Sequence, residues 1–169
     1  MTSQNDDYVL GRDLYGSVRL DTQHLLWKMI NGYTINPRIP VHPDMKIAEM
    51  GSGTGLTIQM DGYDLSDSQF PHKSFLPNNV SLNILDAFGD VPPDLVGKYD
   101  VVHLRFWSCI VKGNDPSRLV RHARQLLKPG GYMQLEEGHL GQNVTRGDVA
   151  EKFGSMVSSI LGKLDIKFE

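Results

Sequence analysis

The residues most able to do chemistry lie between Ile47 and Leu65, in I-A-E-M-G-S-G-T-G-L-T-I-Q-M-D-G-Y-D-L. Three glycines (Gly51, Gly53, Gly55) stand at alternate positions directly after a short apolar run. Glycine accepts positive φ and has no Cβ, so a turn built from it lets backbone atoms touch a bound group. Glu49 precedes the first glycine by two positions, and Asp64 closes the next apolar run. A carboxylate at a strand tip beside such a turn can accept both hydroxyls of a ribose. This is the layout of a site for a nucleotide-type ligand. Glycine-rich turns also close ordinary loops, so the reading depends on the elements around them.

Those elements alternate. A helix is expected from about Gly16 to Ile30, with Val18, Leu25, Leu26, Met29 and Ile30 on a broad apolar face. The segment 36–43, with three prolines, reads as an extended connector. Strands are expected at Lys46–Met50, Met60–Asp64, Val80–Leu85, Tyr99–Leu104 and Tyr132–Leu135. Asp90 to Gly97 leaves room for a short helix only, and Ser66 to Phe75 for an irregular stretch or a short helix. Asp115-Pro116 reads as N-cap and first position of a helix running to Leu127, ended by Lys128-Pro129-Gly130-Gly131. Its Arg118, Arg121, His122 and Arg124 read as a solvated face. A last amphipathic helix is expected from Asp148 to about Leu164. Alternating strands and helices imply an α/β fold with a mainly parallel sheet of about five strands and a ligand crevice at the strand C-terminal ends. The domain reading is a cap and connector over 1–43 and a core over 44–169.

Composition bounds the rest. The chain has 169 residues, 40% hydrophobic and 22% charged, with net charge −3. That suits one domain with a real core, and gives no basic groove for nucleic acid and no polybasic membrane patch. The lone Cys109 makes an internal disulfide impossible and reads as a small buried hydrophobe. No signal peptide or run of about 20 apolar residues is evident, so a cytoplasmic location is expected.

Four signals then stand in one order: E-M-G-S-G-T-G (49–55), Y-D-L-S (63–66), N-I-L-D-A (83–87) and L-L-K-P-G-G-Y-M-Q-L-E-E (126–137). In this order they resemble class I S-adenosylmethionine-dependent methyltransferases, whose Rossmann-like sheet the α/β pattern fits. Y-V-L-G-R (8–12), L-D-T-Q-H-L-L-W (20–27) and D-L-V-G-K-Y-D-V-V-H-L-R (94–105) narrow the resemblance to fungal methyltransferases of secondary metabolism. The resemblance implies S-adenosyl-L-methionine as cofactor and a small-molecule methyl acceptor. It implies that Gly51, Ser52 and Gly53 meet the methionine part through backbone atoms, supported by Glu49. Asp64 holds the ribose, and Asp86 and Ala87 meet the adenine. The backbone near His103 lines the side where sulfonium and acceptor meet, under a cap formed by the N-terminal helix. An oxygen acceptor usually needs a base, whereas an amine or thiolate does not. His103 is a candidate base at a strand tip, His139 a weaker one, and a histidine merely hydrogen-bonded beside the cofactor is the plainer alternative. Glu136 and Glu137 either anchor a polar acceptor or form a solvated strand end.

Two departures qualify the resemblance. Gly51 and Asp64 are thirteen positions apart, where about twenty is usual. The connection between the first two strands is thus shorter than the 10–12 residues a parallel crossover takes, and its helix is expected to be clipped or missing. The sheet is also expected to end at strand five, where the resembled enzymes continue through two more strands. A catalytically impaired, methyltransferase-like binding or regulatory protein is therefore the second reading. A dinucleotide oxidoreductase, which needs G-x-G-x-x-G, is disfavoured by Leu56 at the third glycine position.

Overall fold

Short β-branched and aliphatic runs between turn residues form five parallel strands in the computed structural model, which describes residues 14–51, 59–138 and 147–163. The strands are β1 (Lys46–Met50), β2 (Gln59–Asp64), β3 (Val80–Ile84), β4 (Tyr99–Arg105) and β5 (Leu127–Glu136). Three helices accompany them: α1 (Leu14–Asn31), α2 (Ser117–Leu126) and α3 (Asp148–Lys163). The sheet order is β3-β2-β1-β4-β5, with every neighbouring pair parallel. The chain turns one way from β1 to β2 and the other way to β4. That reversal is where an open α/β sheet leaves a crevice beyond the strand C-termini.

Side-chain alternation divides the sheet into two faces. One face carries Ala48, Met50, Tyr63, Val102 and Leu104, packed with Leu119, Ala123 and Leu126 of α2 into the larger core. The other carries Ile47, Met60 and Val101, covered by Ile39 of the proline-rich connector and by Met45 just before β1. Asp61 is held under the larger core by Ser81 and Tyr99, each at 2.7 Å, and by Lys98 at 3.2 Å. Burial opposes its charge, but these three partners outweigh burial and keep its carboxyl below the usual value.

Several expectations shift. β5 begins at Leu127 and absorbs the Lys-Pro-Gly-Gly segment, because Leu127 pairs with Tyr99 while Tyr132 pairs with Val101. The residues between form a bulge, with Gly130 at φ +80. Asp100 fills the opposite side of this irregularity, accepting from Lys46 N at 2.9 Å and from Lys128 Nζ at 2.8 Å. Residues 93–97 form turns and no helix, Pro92-Pro93 withholding two amide donors. α2 starts one residue later than expected, at Ser117 with Pro116 in the cap position, although Asp115 Oδ1 still accepts from Ser117 N at 3.0 Å. His122 departs from the solvated-face reading: it is buried at 2% exposure, with Nδ1 3.0 Å from Gly89 O. The apolar face expected to anchor α1 is exposed instead, with Leu25 at 59% and Met29 at 78%. The helix meets the sheet through His24 and Trp27 on its other side. The connection 52–58, Ser52 and Gly53 with it, lies outside the described residues, as do His139 and the side chain of Cys109.

Among the described residues, no helix is long and apolar enough to cross a membrane.

Candidate functional site

The tips of β1, β2 and β3 form one row at the C-terminal rim. Gly51 leaves β1 at φ +76, a left-handed conformation glycine enters without a Cβ clash, and donates its N–H to Tyr63 O at 2.8 Å. Asp64 is the next residue after Tyr63, so the carboxylate-bearing tip and the glycine turn start side by side. Asp64 Oδ1 accepts from Ser66 N at 3.2 Å, and its carbonyl accepts from Leu85 N at 2.9 Å. One strand further, Asp86 Oδ1 accepts from Phe88 N at 2.8 Å, and Ala87 is buried. The sequence-predicted Gly51, Asp64, Asp86 and Ala87 are therefore brought to one edge of the sheet.

Trp107 forms the floor of this row. Its Nε1 donates to Met50 O at 3.2 Å, and its ring stands 3.7 Å from where a Cβ on Gly51 would lie. The same ring meets Phe88 edge-to-face, with centroids 5.8 Å apart. Glu137 fixes the turn that carries Trp107, its Oε1 accepting from Trp107 N at 2.6 Å and from Ser108 N at 3.2 Å. Sequence reasoning missed Trp107, because it is far from the glycines in the chain and belongs to no motif.

Behind the rim, on the connector face, lies a buried ionic cluster. β4 ends at Arg105, so His103 sits two residues inside the strand and not at its tip. Its Nδ1 is 3.7 Å from Glu49 Oε1 and its Nε2 3.2 Å from Glu136 Oε2, the latter at an angle short of a well-formed hydrogen bond. Burial works against charge on this imidazole, but Glu136 and Glu49 outweigh it and raise its pKa to about 9. Burial likewise opposes ionisation of Glu136, yet His103 and Gln134 hold its carboxyl below the usual range. Gln134 Nε2 bridges Glu136 Oε1 at 2.7 Å and Thr34 O at 2.8 Å, and its Oε1 accepts from Asn36 N at 2.8 Å. Arg105 lies 3.8 Å from Glu49 and donates to His24 Nδ1 at 3.1 Å. Burial, then the Arg105 charge, depresses the His24 pKa, which keeps that ring a neutral acceptor.

Two sequence expectations change here. A histidine that is protonated near neutrality and clamped by two carboxylates is no base, so His103 loses that role. Glu136 and Glu137 do not form a solvated strand end: Glu136 is buried beside His103, and Glu137 is half-buried with Oε1 on the Trp107 turn. Period-two alternation places Gln134 and Glu136 on the face of His103, which is the signal that could have found the cluster.

The sequence profile of the methyltransferase domain matches residues 37–156. The chain belongs to this methyltransferase-domain family. It is 32% identical to the methyltransferase grgD of a Penicillium species, over 70% of this chain and 48% of that protein. It is 31% identical to the N-methyltransferase tcpN of Claviceps purpurea, over 72% of this chain and 48% of that protein. A third relative, the N-methyltransferase sirN of Leptosphaeria maculans, is 30% identical over 92% of this chain and 58% of its own length. The chain thus spans about half the length of these relatives. Among solved structures, a chain from a Haloferax volcanii complex of a methyltransferase with its activator superposes with a TM-score of 0.55 at 21% identity, covering 70% of this chain and 54% of that one. An S-adenosylmethionine-dependent methyltransferase from Mesorhizobium loti gives 0.50 at 20% identity, covering 68% and 54%. Both share the Rossmann-like methyltransferase fold of this chain.

Proposed function

We propose that this methyltransferase-family chain binds S-adenosyl-L-methionine at the β1–β2–β3 rim and transfers its methyl group to a small-molecule amine in fungal secondary metabolism. The observation that carries the cofactor half is the pairing of Gly51 with the Asp64-bearing tip through the Gly51 N to Tyr63 O hydrogen bond. A bare-backbone turn beside a strand-end carboxylate suits a ribose next to a chain that must lie against the main chain. When bound, the cofactor supplies an electrophilic methyl on a sulfonium. The protein's residues then have to hold and align. Gly51 leaves room against the Trp107 ring, Asp64 accepts the ribose hydroxyls, and Asp86 and Ala87 bound the adenine side. In-line displacement gains much of its rate from such alignment.

The amine follows from two supports. His103 is committed to Glu49 and Glu136 and does not serve as a base, and a neutral amine needs none for the displacement itself. Two of the relatives named above are N-methyltransferases.

The test is transfer of labelled methyl from S-adenosylmethionine to a panel of amine, phenol and thiol acceptors, read by mass. Methylated amines without methylated phenols are expected. Phenols methylated in preference to amines would overturn the acceptor class. Cofactor binding without transfer to any acceptor would favour the second reading, a binding or regulatory protein, which the short connection 51–58 supports. Neither binding nor transfer would overturn the proposal.

A further inference from the structure

β4 is followed by two consecutive aromatic residues that part company. Trp107 turns to Gly51 and Phe88. Phe106 has φ 58 and ψ 36, a left-handed conformation that a bulky side chain rarely adopts. Its N–H still closes the β4–β5 ladder, one residue past the end of β4, by donating to Glu136 O at 3.0 Å. Its ring meets Trp27 of α1 edge-to-face, with centroids 4.8 Å apart at 75°. Beside it, Arg105 reaches His24, one turn away on the same helix. The apolar face of α1 is meanwhile exposed, from 52% at Leu26 to 79% at Ile30. Among the described residues, contacts at the end of β4 reach this helix where its apolar face is left exposed. A backbone strain kept at such a junction points to function.

We propose that Phe106 is a positioning residue that anchors the cap helix: its left-handed backbone aims the ring at Trp27, and Arg105 secures the same turn of α1 through His24. Because Trp107 is the next residue and packs against Gly51, the position of the cap is coupled to the floor of the site. The coupling to cofactor rests on the function proposed above; the anchoring of α1 does not.

Hydrogen exchange of the full chain, followed by mass spectrometry, separates the two. Phe106→Gly deletes the ring while suiting the left-handed backbone, and Trp27→Ala deletes the other partner from the helix side. In both, amides of α1 are expected to exchange at least about tenfold faster while those of β4 and β5 keep their protection. Trp27→Phe should restore protection, since the indole Nε1 has no hydrogen-bond partner among the described residues and the edge-to-face contact survives. Affinity for S-adenosylhomocysteine should fall about fivefold in the first two variants and stay near the parent in the third. Unchanged α1 exchange in Phe106→Gly and Trp27→Ala would overturn the anchor. So would a loss of sheet protection matching that of α1 in both variants, since Phe106 would then hold the sheet and not the cap. If the parent binds no S-adenosylhomocysteine, the cofactor reading fails while the exchange result still decides the anchor.

Discussion

His103 is 2% exposed between two carboxylates, and its raised pKa of about 9 makes its charge part of the folding free energy. A histidine whose folded pKa lies above its unfolded value contributes fully below about pH 6.5, and the contribution is lost as pH rises toward 9. The shift corresponds to on the order of 3 kcal/mol. Urea unfolding should therefore show stability falling across pH 6.5 to 9, and His103→Gln should start less stable and lack most of that slope. An equal slope in the variant would place the titration elsewhere. At this scale the sequence was legible where residue types act through the backbone next to them. Gly51 and Asp64 stood out because a turn and a strand tip need those types, whereas Glu49, read as support for the glycine turn, has its carboxylate beside His103 and Arg105. Trp107, Arg105 and His122 did not stand out, because their contacts depend on which distant segments the sheet order brings together.

The strands were readable because each segment's apolar period is local, and β1 falls on Lys46–Met50 as the sequence suggested; among the described residues, α2 is the one α-helix between two strands. The boundaries that moved are those set by pairing. β5 runs back through Pro129 and two glycines because Leu127 finds Tyr99 across the sheet, which no local pattern encodes. Gly131 sits tightly in that bulge: an added Cβ would lie 3.0 Å from Asp100 O and 3.1 Å from Lys128 O. Gly131→Ala should cost about 1–3 kcal/mol by overpacking, read as a lower thermal midpoint. An unchanged midpoint would mean the bulge yields freely. The helix α1 shows the opposite limit. Its periodicity announced an apolar face correctly, but periodicity does not say what covers that face, and among the described residues the helix is held by His24 and Trp27 on the other side.

Over the whole molecule, the strand order β3-β2-β1-β4-β5 is what converts scattered motifs into a site. Reversal at β1 opens the rim, and the parallel register sets Met50 against Tyr63, so that Gly51 and Asp64 emerge as neighbours. That the sheet is parallel was legible from the apolar runs and the connections between them, whereas the strand order was not among the sequence expectations. The ionic cluster of Glu49, His103, Arg105 and Glu136 was not legible either, since it requires the register of three strands at once. The central claim is that this rim grips the cofactor through Asp64. Calorimetric titration of S-adenosylhomocysteine into the chain and into Asp64→Ala tests it most directly. One site is expected in the parent, with affinity falling about 10- to 100-fold in the variant, the worth of hydrogen bonds to a charged group. Equal affinity in the two folded proteins, or no binding to the parent, would contradict it.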